Sequence, residues 1–244
     1  ALQLSKQHFG GKIPLRRLLE PAIEHAKNGI PTTNTLANNI LNKRQELELQ
    51  PGFLEQFLPL GIAPSAGDLF KLPTLAGTLD ALAQAGLQDF YHGDIAHSLS
   101  QELERAGSPL RREDFDRHRS MEVIPLSLDV AGHRIFNLPP PTQGIASLIL
   151  LGIFERLKIT EAEGFEFSHG IIEATKRAFK IRDRHVCDPA FMTSKIERFL
   201  TSEVLDELMS SIDMTRAAPW PDATTGGDTV WLGAIDSKGR AVSF

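Results

Sequence analysis

The chain has 244 residues, 41% of them hydrophobic and 23% charged, and a formal net charge of −5. This is a globular composition, with enough material for one large domain or two small ones. The acidic balance and the absence of any basic run argue against a nucleic-acid or anionic-membrane partner; no stretch has the length and apolarity of a bilayer span; and a lone Cys187 excludes an internal disulfide framework.

From the N-terminus, Ala1-Leu2-Gln3-Leu4 has neither a basic n-region nor an apolar core, so no signal peptide is visible. The chain does not begin with Met and stops in mid-strand at Phe244, which predicts a piece of a longer polypeptide and leaves bacterial cytoplasm and periplasm both open. Residues 13–29 read as a helix with Leu15, Leu18, Leu19, Ala22, Ile23 and Ala26 on one face, broken or restarted at Pro21 and closed by Gly29. A more polar helix is expected from Thr35 to about Leu49, ended by Pro51-Gly52, and a turn at 64–68. Leu75 to Gly86 reads as an amphipathic helix stopped by glycine. Asp94 is expected to N-cap a further helix from Ile95 to Ala106, and 112–115 to form a single turn.

The hydrophobic period then changes. Val123–Val130 and Arg134–Leu138 flank Ala131-Gly132-His133 and predict a hairpin. Pro139-Pro140-Pro141-Thr142-Gln143-Gly144 reads as a stiff connector into a helix, Ile145–Leu157, that is apolar nearly all round and therefore buried. Ser168 is expected to cap a long helix reaching Arg184, and Thr201 the last one, to Ile212. Within the long helix, Glu173, Arg177, Arg182, Asp183 and Arg184 read first as an ion-pair ladder on a solvated face and second as a brace for the loop that follows. His92 and His97 read as surface histidines rather than metal ligands, which must converge in threes or fours. Cys187 reads as a small buried hydrophobe rather than a nucleophile. The element order predicts an α+β fold.

The last twenty residues carry the chemistry. A loop from Thr215 to Gly227 leads into Val230-Trp231-Leu232-Gly233-Ala234-Ile235, whose period is two; Asp236-Ser237-Lys238-Gly239 turns the chain and Ala241–Phe244 returns it. Thr229 thus heads a strand, directly after Gly226-Gly227-Asp228. Taken locally it is either an ordinary β-branched strand residue or the nucleophile of an enzyme that cuts its own chain before a hydroxyl residue. In the second reading the freed α-amine, with a pKa near ~8, is general base for the adjacent hydroxyl. The glycine pair would admit the strained backbone that peptide-to-ester rearrangement needs.

The chain resembles γ-glutamyltransferase (glutathione hydrolase) precursors of the Ntn-hydrolase superfamily. The resemblance is collinear from about Phe9 to Phe244. It rests on Leu18-Leu19-Glu20-Pro21-Ala22-Ile23, on Gly67-Asp68-Leu69 followed by Leu75–Leu79, and on Phe90-Tyr91-His92-Gly93-Asp94-Ile95-Ala96. Pro139–Gly144, Glu173–Phe179 with Arg182 and Asp188-Pro189, and the Asp228-Thr229 hairpin continue it. The resemblance implies a four-layer αββα fold, of which this chain would be a helix-rich fragment. It also implies self-cleavage between Asp228 and Thr229, so that residues 1–228 would belong to a large subunit and 229–244 would begin a small one. Thr229 would then attack a γ-glutamyl amide such as glutathione, form a threonyl acyl-enzyme, and pass the acyl group to water or an acceptor amine. No metal and no cofactor is expected; the expected partners are the γ-glutamyl substrate and the rest of the precursor, with a homodimer left open.

Two departures qualify the picture. Val230-Trp231-Leu232 stands where the commonest family pattern has a second Thr and a His, which resembles the bacterial γ-glutamyltransferase-like branch that includes acylases. The family's arginine for the substrate carboxylate and the polar residues that contact the nucleophile fall outside residues 1–244, so the chain alone is expected to be inactive. An amide or cephalosporin-type acylase, and a non-catalytic scaffold domain, are the alternative readings.

Overall fold

Local preferences and non-local packing divide the work of folding cleanly in this chain, as its computed structural model shows for residues 2–220 and 230–244. The chain forms two compact units, Ala1–Met121 and Glu122–Phe244.

In the first unit, α1 (Leu2–Phe9) is followed by α2 (Leu15–Asn28), which packs against α5 (Pro73–Ala85). Pro21 does not break α2: the helix runs through it, held on both sides of the proline where Leu19 and Ile23 are half-buried and Ala26 is buried. Gly29 ends the helix at φ 92°, a conformation that favours glycine, and its N–H donates to the His25 carbonyl at 2.9 Å. A two-stranded ladder unseen in the sequence joins these helices. In it β1 (Ile30–Pro31) pairs antiparallel with β2 (Leu69–Phe70), and the buried Thr32 donates from both its N–H and its hydroxyl to the Asp68 carbonyl. Between these strands lie α3 (Asn34–Leu47), capped by the Thr33 hydroxyl, and the short α4 (Phe53–Phe57). Ile40, Phe53 and Leu58 form the small core between them. Beyond α5, α6 (Asp89–His92) leads to α7 (Asp94–Arg105) and α8 (Arg112–Arg117). Asp94 lies inside α7 and does not cap it. Asp89 does so from the preceding turn, accepting the Ile95 N–H at 3.2 Å.

The second unit is organised on α9 (Gly144–Arg156). α9 packs against the hairpin of β3 (Leu126–Val130) and β4 (His133–Asn137), which pair from Leu126↔Asn137 to Val130↔His133. Ala131 and Gly132 both take positive φ, 50° and 76°, the two-residue turn whose twist suits a hairpin. α9 also packs against α10 (Phe165–His185) and α11 (Ser202–Ser210). Ile145, Leu148, Ile149, Ile153, Ala174, Ala178 and Leu205 are fully enclosed, so the nearly continuous apolarity of α9 is explained by the hairpin, α10 and α11 all packing on it. Close approach needs small residues: a Cβ on Gly152 would sit 2.8 Å from Leu128 Cδ2 and 2.9 Å from Leu205 Cδ1. α10 begins at Phe165, a turn before Ser168, and Gly164 holds its N-cap position without a side-chain bond. Thr201 does cap α11, its hydroxyl accepting the Val204 N–H at 3.5 Å.

The chain closes with β5 (Gly233–Ile235) and β6 (Ala241–Ser243), paired antiparallel with Ala234 opposite Val242. Asp236 makes the turn: its carboxylate accepts the N–H groups of Lys238 and Arg240 at 2.9 and 3.0 Å and pairs with the Arg240 guanidinium. Among the described residues, no helix is long and apolar enough to cross a membrane.

Candidate active site

Asp228 and Thr229, the expected processing bond and nucleophile, lie with Gly226 and Gly227 outside the described residues. Their two flanks are described, and each is fixed by identifiable chemistry.

On the downstream side, Leu232 and Phe244 exchange both backbone hydrogen bonds, Leu232 N–H to Phe244 O at 2.9 Å and Phe244 N–H to Leu232 O at 2.8 Å. This continues the β5–β6 ladder one pair towards Thr229. Trp231 adds a side-chain link, its indole N–H donating to Ser243 Oγ at 2.8 Å. Of the strand expected from Val230 to Ile235, the part from the Leu232–Phe244 pair to Ile235 is present, with its register fixed by the Asp236 turn, while Val230 and Trp231 precede it. Every residue from Val230 to Phe244 is exposed, including Val230, Trp231, Ile235 and Phe244.

On the upstream side, the segment from Ser211 to Trp220 is fastened along α10. Arg177 donates to Ser211 through Nε to Oγ at 3.1 Å and Nη2 to the carbonyl at 2.7 Å. His169 Nε2 donates to the Asp213 carbonyl at 2.9 Å. Asp213 in turn accepts the N–H and hydroxyl of Thr215, and these bonds, hydroxyl first, hold its carboxyl below the ordinary range. The central fastening is at Glu173, whose side chain is enclosed. One oxygen accepts from Lys176 Nζ at 2.6 Å and from the Ala218 N–H at 3.1 Å; the other accepts from Arg177 Nη1. Lys176 Nζ also donates to the Ala218 carbonyl at 2.6 Å, so both polar backbone groups of Ala218 are satisfied by one ion pair of α10. Burial pushes the Glu173 carboxyl up, but the hydrogen bonds from Lys176, Arg177 and Ala218, with the charge of Lys176, outweigh it and keep the group ionised below its ordinary range. Two residues on, Trp220 lies beside Phe179, ring centroids 6.4 Å apart, and closes a groove of about 260 Å³ lined by Ile171, Ile172, Thr175, Lys176, Phe179 and Trp220.

This overturns the solvated-ladder reading of α10 for Glu173 and Arg177, though not for Asp183, which is exposed and paired with Arg182 at 2.7 Å. The missed signal is Gly170, Ala174 and Ala178 at four-residue spacing: small residues mark a face in close contact, and Glu173 and Arg177 border it. Arg182 reaches outward instead, donating to Gln143 Oε1 at 3.0 Å and lying 3.8 Å over the Phe179 ring. Pro139–Gln143 is the expected connector into α9, with the Thr142 hydroxyl donating to the Leu138 and Pro139 carbonyls. Cys187 is exposed, not buried, because α10 ends two residues earlier and leaves it in the following turn. His92 and His97 are at the surface, against Asp116 and Gln101 respectively. Among the described residues no three His, Cys, Asp or Glu side chains are arranged to hold a metal ion.

The helix-rich architecture is that of the γ-glutamyltranspeptidases and related acylases of the Ntn-hydrolase class. Cephalosporin acylase from Bacillus halodurans superposes with a TM-score of 0.87 at 30% identity, covering 99% of this chain and 45% of that one. The family model for gamma-glutamyltranspeptidase matches residues 1–244, and the chain belongs to that family. It is 44% identical over its whole length to the oxamate amidohydrolase proenzyme of Klebsiella pneumoniae and 34% identical over 96% of its length to the glutathione hydrolase-like YwrD proenzyme of Bacillus subtilis. It spans 46% and 45% of those two proteins, just under half of each.

Proposed function

We propose that this chain is the part of an amide-hydrolysing proenzyme that carries the processing site, and that the full-length precursor cuts itself between Asp228 and Thr229. Residues 1–228 then belong to the large subunit and Thr229 becomes the first residue of the small one. The Thr229 hydroxyl, activated by its own α-amine, attacks the substrate amide carbonyl; the amine leaves with a proton, and water hydrolyses the threonyl ester. The observation that carries this reading is the family match across residues 1–244 to relatives described as proenzymes, with Thr229 three residues before the Leu232–Phe244 pair. Oxyanion donors and a substrate clamp are required for the chemistry, and losing one such donor typically costs ~3 kcal/mol of transition-state stabilisation. Because the residues resembling that machinery lie outside 1–244, the chain by itself is inactive in this reading.

The substrate read from the family is a γ-glutamyl amide such as glutathione. A second reading, a small-amide hydrolase or acylase, is favoured by Val230-Trp231-Leu232 after the nucleophile and by the 44% identity to the oxamate amidohydrolase proenzyme. One comparison separates them. Full-length protein is assayed for release of p-nitroaniline from γ-glutamyl-p-nitroanilide and of ammonia from oxamate, with Thr229→Ala as control. Turnover of the anilide alone supports the first reading, and ammonia release alone the second. Equal turnover by wild type and Thr229→Ala removes Thr229 from the mechanism.

A further inference from the structure

We propose that Glu173 and Lys176 are positioning residues for self-cleavage: together they strap the Ser211–Trp220 segment to α10 and so fix the chain from which the Asp228–Thr229 bond is presented. The inference rests on the reading of Thr229 as the self-cleaving nucleophile and adds to it the part of the fold that aims the bond.

The strap has direction. Ser211 is held at Arg177; from Asp213, held at His169, through Ala218 at Glu173 and Lys176 to Trp220 beside Phe179, the segment runs along α10 towards its C-terminal end. From His169 to Phe179 the helix advances about 15 Å. At Ala218 the attachment is two-sided. Glu173 takes the N–H and Lys176 the carbonyl, as a partnering strand would, and Glu173 itself is buried and neutralised by Lys176 and Arg177. A surface decoration would not be built this way: a carboxylate enclosed in a core is costly unless each of its oxygens is bonded, and here one of those bonds goes to a backbone group 45 residues away. Thr229 follows Trp220 by only nine residues, so its distance from the last fastening is at most ~30 Å, and releasing Ala218 would widen the volume in which the scissile bond is found. Cleavage within one chain depends on the reacting groups being held together, and loosening one anchor lowers the fraction of molecules correctly arranged.

Lys176→Met in the full-length precursor tests this, because it removes the donor to the Ala218 carbonyl while leaving Glu173 bonded to Arg177. Lys176→Arg restores a donor. Three quantities are read: the rate of splitting into two chains by intact mass, the rate of tryptic nicking after the exposed Arg216, and turnover per molecule already split. Lys176→Met should be nicked faster and split about tenfold or more slowly, the shift expected from losing one charge-assisted hydrogen bond. Turnover of the split fraction should be unchanged, and Lys176→Arg should return both rates to near wild type. Wild-type splitting by Lys176→Met, or equal loss of splitting and turnover, overturns the inference. A wild-type precursor that never splits removes the Thr229 reading and the strap's role in cleavage with it. The nicking rates still report whether Lys176 holds the segment, so the two failures are told apart.

Discussion

Glu173 and Ala218 are 45 residues apart in sequence, yet the enclosed Glu173 carboxylate accepts the Ala218 N–H at 3.1 Å. The bond converts a helix residue into an anchor for the segment that runs towards Thr229. Removing one member of a buried ion cluster leaves the others desolvated and unpaired, which typically costs ~3–5 kcal/mol. Glu173→Ala should therefore lower the unfolding free energy measured by urea titration by an amount in that range, with a lower midpoint, while Glu173→Gln, which keeps the shape and an acceptor for Ala218, should lose less. An unchanged midpoint for Glu173→Ala would mean that Lys176 and Arg177 find other partners at no cost.

The same carboxylate makes stability depend on pH. Its folded-state pKa lies below the ordinary value because the bonds from Lys176, Arg177 and Ala218 outweigh the effect of burial. Below the unfolded value of about 4.3 the unfolded chain binds the proton first. The stabilisation is thus complete above that pH and drains away as pH falls through the lower folded value. Stability of the wild type should fall more steeply than that of Glu173→Gln as pH drops below about 5, the two converging at the acid end. Parallel curves in circular-dichroism titrations would show that Glu173 is not the group responsible.

Legibility followed the range of the interactions. Helices α2, α5, α7, α9 and α11 were readable from apolar spacing and caps, and the β3–β4 and β5–β6 hairpins from period-two runs around short turns, because the determinants are local. The β1–β2 ladder was not, since Ile30 pairs with Phe70 across 39 intervening residues and two-residue strands carry no period. Pro21 misled because the cost of a proline in a helix is local while the packing that offsets it is not. The Glu173 cluster was legible as a charge pattern but not as a buried one: i,i+3 and i,i+4 pairs look alike on a solvated and an enclosed face. The reading of Thr229 as a nucleophile rests on the resemblance; its strand-head setting alone favours an ordinary β-branched strand residue.

The second unit should be sensitive at α9. Ile149 is fully enclosed, in a helix packed against the β3–β4 hairpin, α10 and α11. Truncating it leaves a cavity that the packed elements around α9 relax only partly to fill, so Ile149→Ala should cost ~2–5 kcal/mol. Ile124, 89% exposed before β3, is the comparison: Ile124→Ala should stay within ~0.5 kcal/mol of wild type. Similar losses for both, in denaturant titration, would show that α9 is not the structural centre of this unit.

Two glycines inside helices should respond to alanine with opposite signs. Gly77 lies within α5, and a Cβ there meets nothing within 4 Å. Gly77→Ala should stabilise by ~0.5–1 kcal/mol, since alanine loses less backbone entropy on folding and obstructs nothing. Gly144 opens α9 at the end of the proline connector, where a Cβ would fall 2.4 Å from the Leu138 carbonyl oxygen and 2.5 Å from Asn137 Oδ1. The first of these is backbone, held between β4 and the connector, and cannot rotate away. Gly144→Ala must therefore displace the start of α9 or the end of β4, and should destabilise by ~1–3 kcal/mol, the usual cost of an overpacked site. Thermal melts of the two variants decide the matter: a rise in midpoint for Gly77→Ala with a fall for Gly144→Ala is expected. A rise for both would mean that the connector yields, and that the space at Gly144 is not what requires glycine there.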